Sequence, residues 1–245
     1  MKKLGWRVKL GAALVAATAV LMVVHYLIFR DAYNLGFYTV HAIVMMPLEV
    51  LFVTIILNAL LERRSRQERL HKLNMVVGAF FSETGSDLLR RISALDETRE
   101  VREQCRVDGT WDAARYAAAR RFASAHSYRV SVSPEHLEAM REFLANRQQF
   151  VLALLQHPNL LEHESLTDTL WAVSHIAEEL RARASFEDLP ASDLRHLAGD
   201  IERAYAALTV EWLEYARYLQ SAYPYLFSLT VRTSPLDPEA SAIVR

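Results

Sequence analysis

Two long apolar runs separated by the five residues "RDAYN" constrain this chain more than anything else in it. The first, residues 10–29, reads "LGAALVAATAVLMVVHYLIF" and carries no charge. At about 1.5 Å per residue a helix of that length reaches across a hydrocarbon layer roughly 30 Å thick. The second, residues 35–61, is broken by few polar groups, among them Thr39, His41, Glu49 and Asn58, and by Pro47. So short a connector forces the two spans, about 10–29 and 36–60, into a tight antiparallel hairpin. The first run is expected to stay as an anchor: it is long for a leader, and a second apolar run replaces the polar start of a processed chain.

The flanks orient the hairpin. Lys2, Lys3, Arg7 and Lys9 precede it, and Arg63, Arg64, Arg66, Arg69 and Lys72 follow it, whereas the tip has Arg30 beside Asp31. Cations collect on the cytoplasmic side. Both termini are therefore expected inside, in a multi-pass protein of the inner (plasma) membrane. The cluster from Arg63 to Lys72 is also placed to meet lipid headgroups, at about 1 kcal/mol per cation near an anionic surface.

Glu49 is the anomaly within the second span. Counted inward from the tip at helical rise, it lies about 20 Å deep, level with Thr18 of the first span, while His25 and His41 share a shallower level. Gly11, Thr18 and His25 repeat every seven residues and define the face expected to meet the second helix. Pro47 removes a backbone hydrogen bond and is expected to kink the helix beside Glu49. An ionisable group at that depth is a functional candidate. It reads as a polar pin hydrogen-bonded to Thr18 or to a neighbouring subunit, as part of a proton or cation path with His41 and His25, or as a group facing water or headgroups on a shifted or tilted helix.

Of the 28 basic and 29 acidic residues, five and two lie in residues 1–61, leaving 23 and 27 in the remaining 184. That mildly acidic balance gives no basic face for nucleic acid, and 184 residues suffice for one core. The single cysteine, Cys105, rules out an intrachain disulfide and a Cys-based zinc site. With only 7 Gly and 7 Pro, helix is expected almost throughout. The fold class read from these features is all-α: a transmembrane hairpin over 1–61, a basic stalk helix over 62–84 with Gly85 as its C-cap, a cytoplasmic helical bundle over 85–231 and a loose tail over 232–245.

Within the bundle, helices are expected over about 87–105, 111–125 capped by Thr110, 134–156 opened by Ser133 and Pro134, and 165–183 opened by a Ser165/Asp168 capping box. "HSYRVSVSP", residues 126–134, reads as loop. The last helix, about 192–222, carries the clearest pattern: Leu194, Ile201, Tyr205, Leu208, Trp212, Tyr215 and Leu219 step by sevens, threes and fours. That is a bundle or coiled-coil seam.

No phosphate-binding, dinucleotide, zincin or serine-hydrolase motif is present, and no cofactor is indicated. Residues 172–181, "AVSHIAEELR", resemble the phospho-accepting helix of sensor histidine kinases over ten residues. No Gly-rich ATP-binding segment accompanies them, so no kinase is read. Glu68 precedes His71 by three, and Asp193 precedes His196 by three; two such pairs are close to chance. A denser stretch offers His157, His163, Asp168 and His175 as candidate metal ligands, against the plainer reading of a solvated loop and a polar helix face. The sequence thus points away from an enzyme. It points to a membrane-tethered helical scaffold or relay whose partners are the bilayer and either a second copy or another helical membrane protein.

Overall fold

The computed structural model describes residues 6–157, 160 and 164–243; the side chains of Arg7 and of residues 66–72 lie outside that description. The fold is all-α. The chain divides into two compact units, Met1–Arg66 and Gln67–Arg245.

Helix α1 spans Trp6–Phe29 and α2 spans Ala32–Phe80. Only Arg30 and Asp31 join them. Arg30 adopts the left-handed conformation, φ 50, and its N–H donates to the Tyr26 carbonyl at 2.8 Å, closing α1. Asp31 then caps α2, its Oδ1 accepting the Asn34 N–H at 3.0 Å. Helix α2 therefore begins four residues before the expected Gly36. Pro47 lies inside α2 and does not end it. The stretches Val8–Phe29 and Ala32–Ser65 are each long and apolar enough to cross a membrane, and the chain buries neither.

The second unit takes in the end of α2, a π-helical turn at Phe81–Gly85, and helices α3 (Ser86–Ala94), α4 (Glu100–Cys105), α5 (Ala113–Ala125), α6 (Pro134–Ala145), α7 (Gln148–Leu155), α8 (Glu164–Ala182), α9 (Ala191–Ala222) and α10 (Pro224–Arg232). Helix α9 is the hub and packs against α3, α5, α8 and α10. Its expected seam is core: Ile201, Tyr205, Leu208, Trp212 and Leu219 are buried by the chain's own helices, and Leu194 and Tyr215 are half-buried at its edges. The pattern is thus used up internally rather than offered to a coiled-coil partner.

Several local expectations are corrected. Gly85 is no C-cap, because its backbone is right-handed (φ −62) and the chain runs through the π-helical turn into α3. Glycine is needed there for space: a Cβ would meet the Phe80 ring at 2.7 Å and the Phe81 ring at 2.8 Å. The inserted turn lets two adjacent rings, Phe80 and Phe81, both enter the core, Phe81 against Trp212 and Tyr215. The helix expected over 87–105 breaks at Leu95. There Asp96 accepts from the Thr98 N–H and hydroxyl, both at 2.9 Å, and from the Tyr205 hydroxyl at 3.1 Å. Side chains that satisfy local backbone this way compete with helix.

Asp112, not Thr110, caps α5, accepting from the Arg115 N–H at 2.8 Å. Ser133 and Pro134 open α6 as expected, but a turn at Asn146 and Arg147 separates it from α7. Ser165 lies inside α8, and its hydroxyl donates to buried Glu211 of α9 at 2.7 Å. The stretch 126–133 is loop with one isolated bridge, Val130 to Asp96, and Pro134 opens α6. The tail is not loose up to Ile243. Leu236 is fully buried, Ser93 donates to the Pro235 carbonyl at 3.2 Å, and the Ser241 N–H donates to the Arg232 carbonyl at 2.9 Å.

Candidate functional site

In the hairpin unit, Thr18, Met22 and His25 of α1 face Leu35, Thr39, Ala42, Met46 and Glu49 of α2 across one groove. Their spacings of three and four residues are those of a helix–helix seam. Thr18, His25 and Glu49 therefore line one groove, although His25 was expected level with His41 rather than with Glu49. No Thr18–Glu49 hydrogen bond forms: the Thr18 hydroxyl donates to the Leu14 carbonyl of its own helix at 3.0 Å. His41 does not join them. It is one residue, about 100° of helical rotation, away from Ala42, and its ring stacks on Phe37 at 6.3 Å. Gly11, expected on the same seam, has nothing near the position of a Cβ. Depth along a helix is legible by counting; azimuth is not.

Arg63 and Arg64 are exposed on α2, and the side chains of Arg66, Arg69 and Lys72 lie outside the described residues.

In the second unit the ionisable side chains converge where α8 meets α9. His175 and Glu179 occupy one face of α8 at a spacing of four, and His196 and Asp200 occupy one face of α9 at the same spacing. The flanking Val173, Ile176 and Leu180 of α8 and Leu197 and Ile201 of α9 are buried, which brings the two polar faces together at the edge of the core. Asp200 Oδ2 lies 3.4 Å from His175 Nε2 and 3.4 Å from His196 Nε2. Glu179 adds Oε2 at 3.6 Å from His196 Nε2 and Oε1 at 4.0 Å from His175 Nε2. Among the described residues, His175, Glu179 and Asp200 form the group whose ligand atoms lie within 4.8 Å of one another, as metal ligation requires.

Arginines occupy the outer oxygens. Arg183 donates through Nη1 to Glu179 Oε2 at 2.8 Å and through Nε and Nη2 to Asp193 at 2.7 and 2.6 Å. Hydrogen bonding from Arg183 holds both carboxyls below the ordinary carboxylate range. Arg203 donates to Asp200 Oδ1.

Of the three metal candidates named from sequence that fall among the described residues, only His175 is in this cluster. Asp168 is exposed on α8, and His157 is half-buried in the turn after α7, its backbone bonded to Leu154 and Leu160. His163 lies outside the described residues. Asp193, paired with His196 by its spacing, is held by Arg183 instead. Glu179 and Asp200 escaped notice. The signal that would have found them is a histidine four residues before a carboxylate, repeated on two helices. Cys105 contributes no chemistry: it is fully buried, and burial pushes its thiol up to about 12.

Residues 2–61 match the family described as "MJ1433, N-terminal helical domain", and residues 69–232 match the one described as "Uncharacterized protein MJ1433, C-terminal helical domain". "Uncharacterized protein MJ1433" of Methanocaldococcus jannaschii is 36% identical over 221 residues, which cover 90% of this chain and 89% of that protein. No solved structure matches the chain.

Proposed function

The chain belongs to the MJ1433 family, its two matched segments being the apolar hairpin and the helical domain after it, and we propose that it is a membrane-anchored helical scaffold or signal-relay module working through helix–helix contacts. One observation carries the reading. The hairpin exposes its large apolar side chains on all sides, while the helical domain buries its own core. A helix that is apolar all round needs lipid or other helices as its solvent.

The protein sits in the inner (plasma) membrane as a two-pass anchor with both termini cytoplasmic, because the cations flank the hairpin and leave its tip nearly neutral. Arg63, Arg64, Arg66, Arg69 and Lys72 meet the headgroups. Partners are a second copy or another helical membrane protein. Since the α9 seam is occupied, contacts run through the hairpin and through exposed apolar residues of the helical domain, Trp171 on α8 and Tyr225 and Leu229 on α10.

The test is done in native membranes. Asn34→Cys in a Cys105→Ser background should react with an impermeant thiol reagent added from outside, and crosslinking should trap a neighbour. A protein washed off by carbonate, or one strictly monomeric without a partner, defeats the proposal.

A second reading has its own support: Glu49 and His25 line one groove with Thr18. In that reading an oligomer handles protons or cations, with His41 contributing from a different face. Glu49→Gln should abolish flux in proteoliposomes while leaving assembly intact; unchanged flux removes this reading.

A further inference from the structure

We propose that His175, Glu179, His196 and Asp200 bind one first-row divalent metal ion, zinc foremost, and that the ion staples α8 to α9. Each helix supplies a histidine and a carboxylate at a spacing of four. His175, Glu179 and Asp200 offer ligand atoms within 4.8 Å of one another, and His196 stands beside them, 3.4 Å from Asp200 Oδ2. Metal–donor distances of about 2.0–2.2 Å put neighbouring donors of a tetrahedron roughly 3.3–3.6 Å apart. Two of the separations fall there, 3.4 Å from His175 Nε2 and 3.4 Å from His196 Nε2 to the same Asp200 Oδ2. A third, 4.0 Å from His175 Nε2 to Glu179 Oε1, closes with a small rotation of a partly exposed side chain.

A second, independent observation points to a ligand. The Asp200 side chain is only 1% exposed, and its Oδ2 receives no hydrogen bond from the described residues although two imidazoles stand 3.4 Å away. Buried carboxylate oxygens otherwise find donors, and leaving one without them is costly. Two imidazoles at that distance, bonding to neither carboxylate oxygen nor each other, are arranged as co-ligands rather than as donors to Asp200.

The arginines complete the shell. Each carboxylate has one oxygen taken by a guanidinium, Glu179 Oε2 by Arg183 and Asp200 Oδ1 by Arg203, which leaves Glu179 Oε1 and Asp200 Oδ2 facing the histidines. Outer contacts of this kind orient first-layer ligands. Two imidazole nitrogens with two carboxylate oxygens suit borderline ions such as Zn²⁺, whereas Mg²⁺ and Ca²⁺ take all-oxygen sets. The ion can enter from solvent, because the His175 and His196 side chains are 48% and 51% exposed.

The experiment uses full-length protein in detergent micelles, stripped with a chelator and titrated with zinc. Elemental analysis should return one zinc per chain, the melting temperature should rise, and cobalt(II) in its place should show the visible bands of a four-coordinate site. His175→Ala and His196→Ala should each weaken zinc binding by at least about tenfold with helical content unchanged. Asp200→Asn should do the same while keeping its shape; if that buried change unfolds the domain, the half-exposed histidines still decide. Wild-type protein that takes up no zinc, or a His175→Ala/His196→Ala double variant that holds as much zinc as wild type, overturns the proposal. Stabilisation by magnesium or calcium equal to that by zinc overturns the choice of ion.

Discussion

Leu51 of α2 is 53% exposed and Leu208 of α9 is fully buried, though both are leucines well inside long helices. The first belongs to a unit whose apolar residues point in every direction, the second to one whose apolar residues form a stripe. In the hairpin the exposed side chains are apolar on every side, which is what the proposed membrane anchor rests on. In the helical domain the alternation of leucine, tyrosine and tryptophan with charged residues along α9 lets the chain supply its own. Apolar content alone therefore does not say where a helix belongs; the period of that content does.

The largest expected effect tests this contrast directly. Leu208→Ala should destabilise the helical domain by about 2–5 kcal/mol in denaturant unfolding, whereas Leu51→Ala should leave that unfolding within roughly 0.5 kcal/mol of wild type. Equal effects would erase the distinction. Leu51→Arg probes the other side: it should cost about 2.5–3.5 kcal/mol of insertion, read as a loss of membrane-integrated protein, with folding of the helical domain unaffected.

A smaller effect sits where α2 ends. Gly85→Ala should destabilise by roughly 1–3 kcal/mol, since the added methyl meets two buried rings. Alanine's better helix propensity predicts the opposite sign, so a thermal melt settles which term wins. Least of all, Arg120→Ala breaks the exposed 2.7 Å pair with Glu214 and should cost under about 1 kcal/mol, falling further with added salt.

Much of the helical framework was legible because periodicity and capping are local. Ser133 followed by Pro134 opens α6 as read, and the α9 seam is core as its spacing implied. Breaks were less legible. Leu95 ends α3 because Asp96 finds Thr98 and, 109 residues away, Tyr205, and no window of sequence contains that pairing. Ser165 looked like a cap because its spacing to Asp168 is right, yet its hydroxyl reaches Glu211 on another helix. The tail looked loose because its composition is polar, yet Leu236 fills a space in the core that only the folded helices define.

The chain's own order of residues determined that it is all-α and that residues 10–29 and 35–61 form two long apolar helical runs. These are properties of rise per residue and of composition, which need no partner. Tertiary structure alone decided azimuth and company: that His41 turns away from the groove holding His25, and that His175 meets Asp200 rather than Asp168 or His157. Packing of α8 on α9 sets those neighbours, and two polar faces that are each ordinary on a single helix come together only when buried leucines and isoleucines press them together.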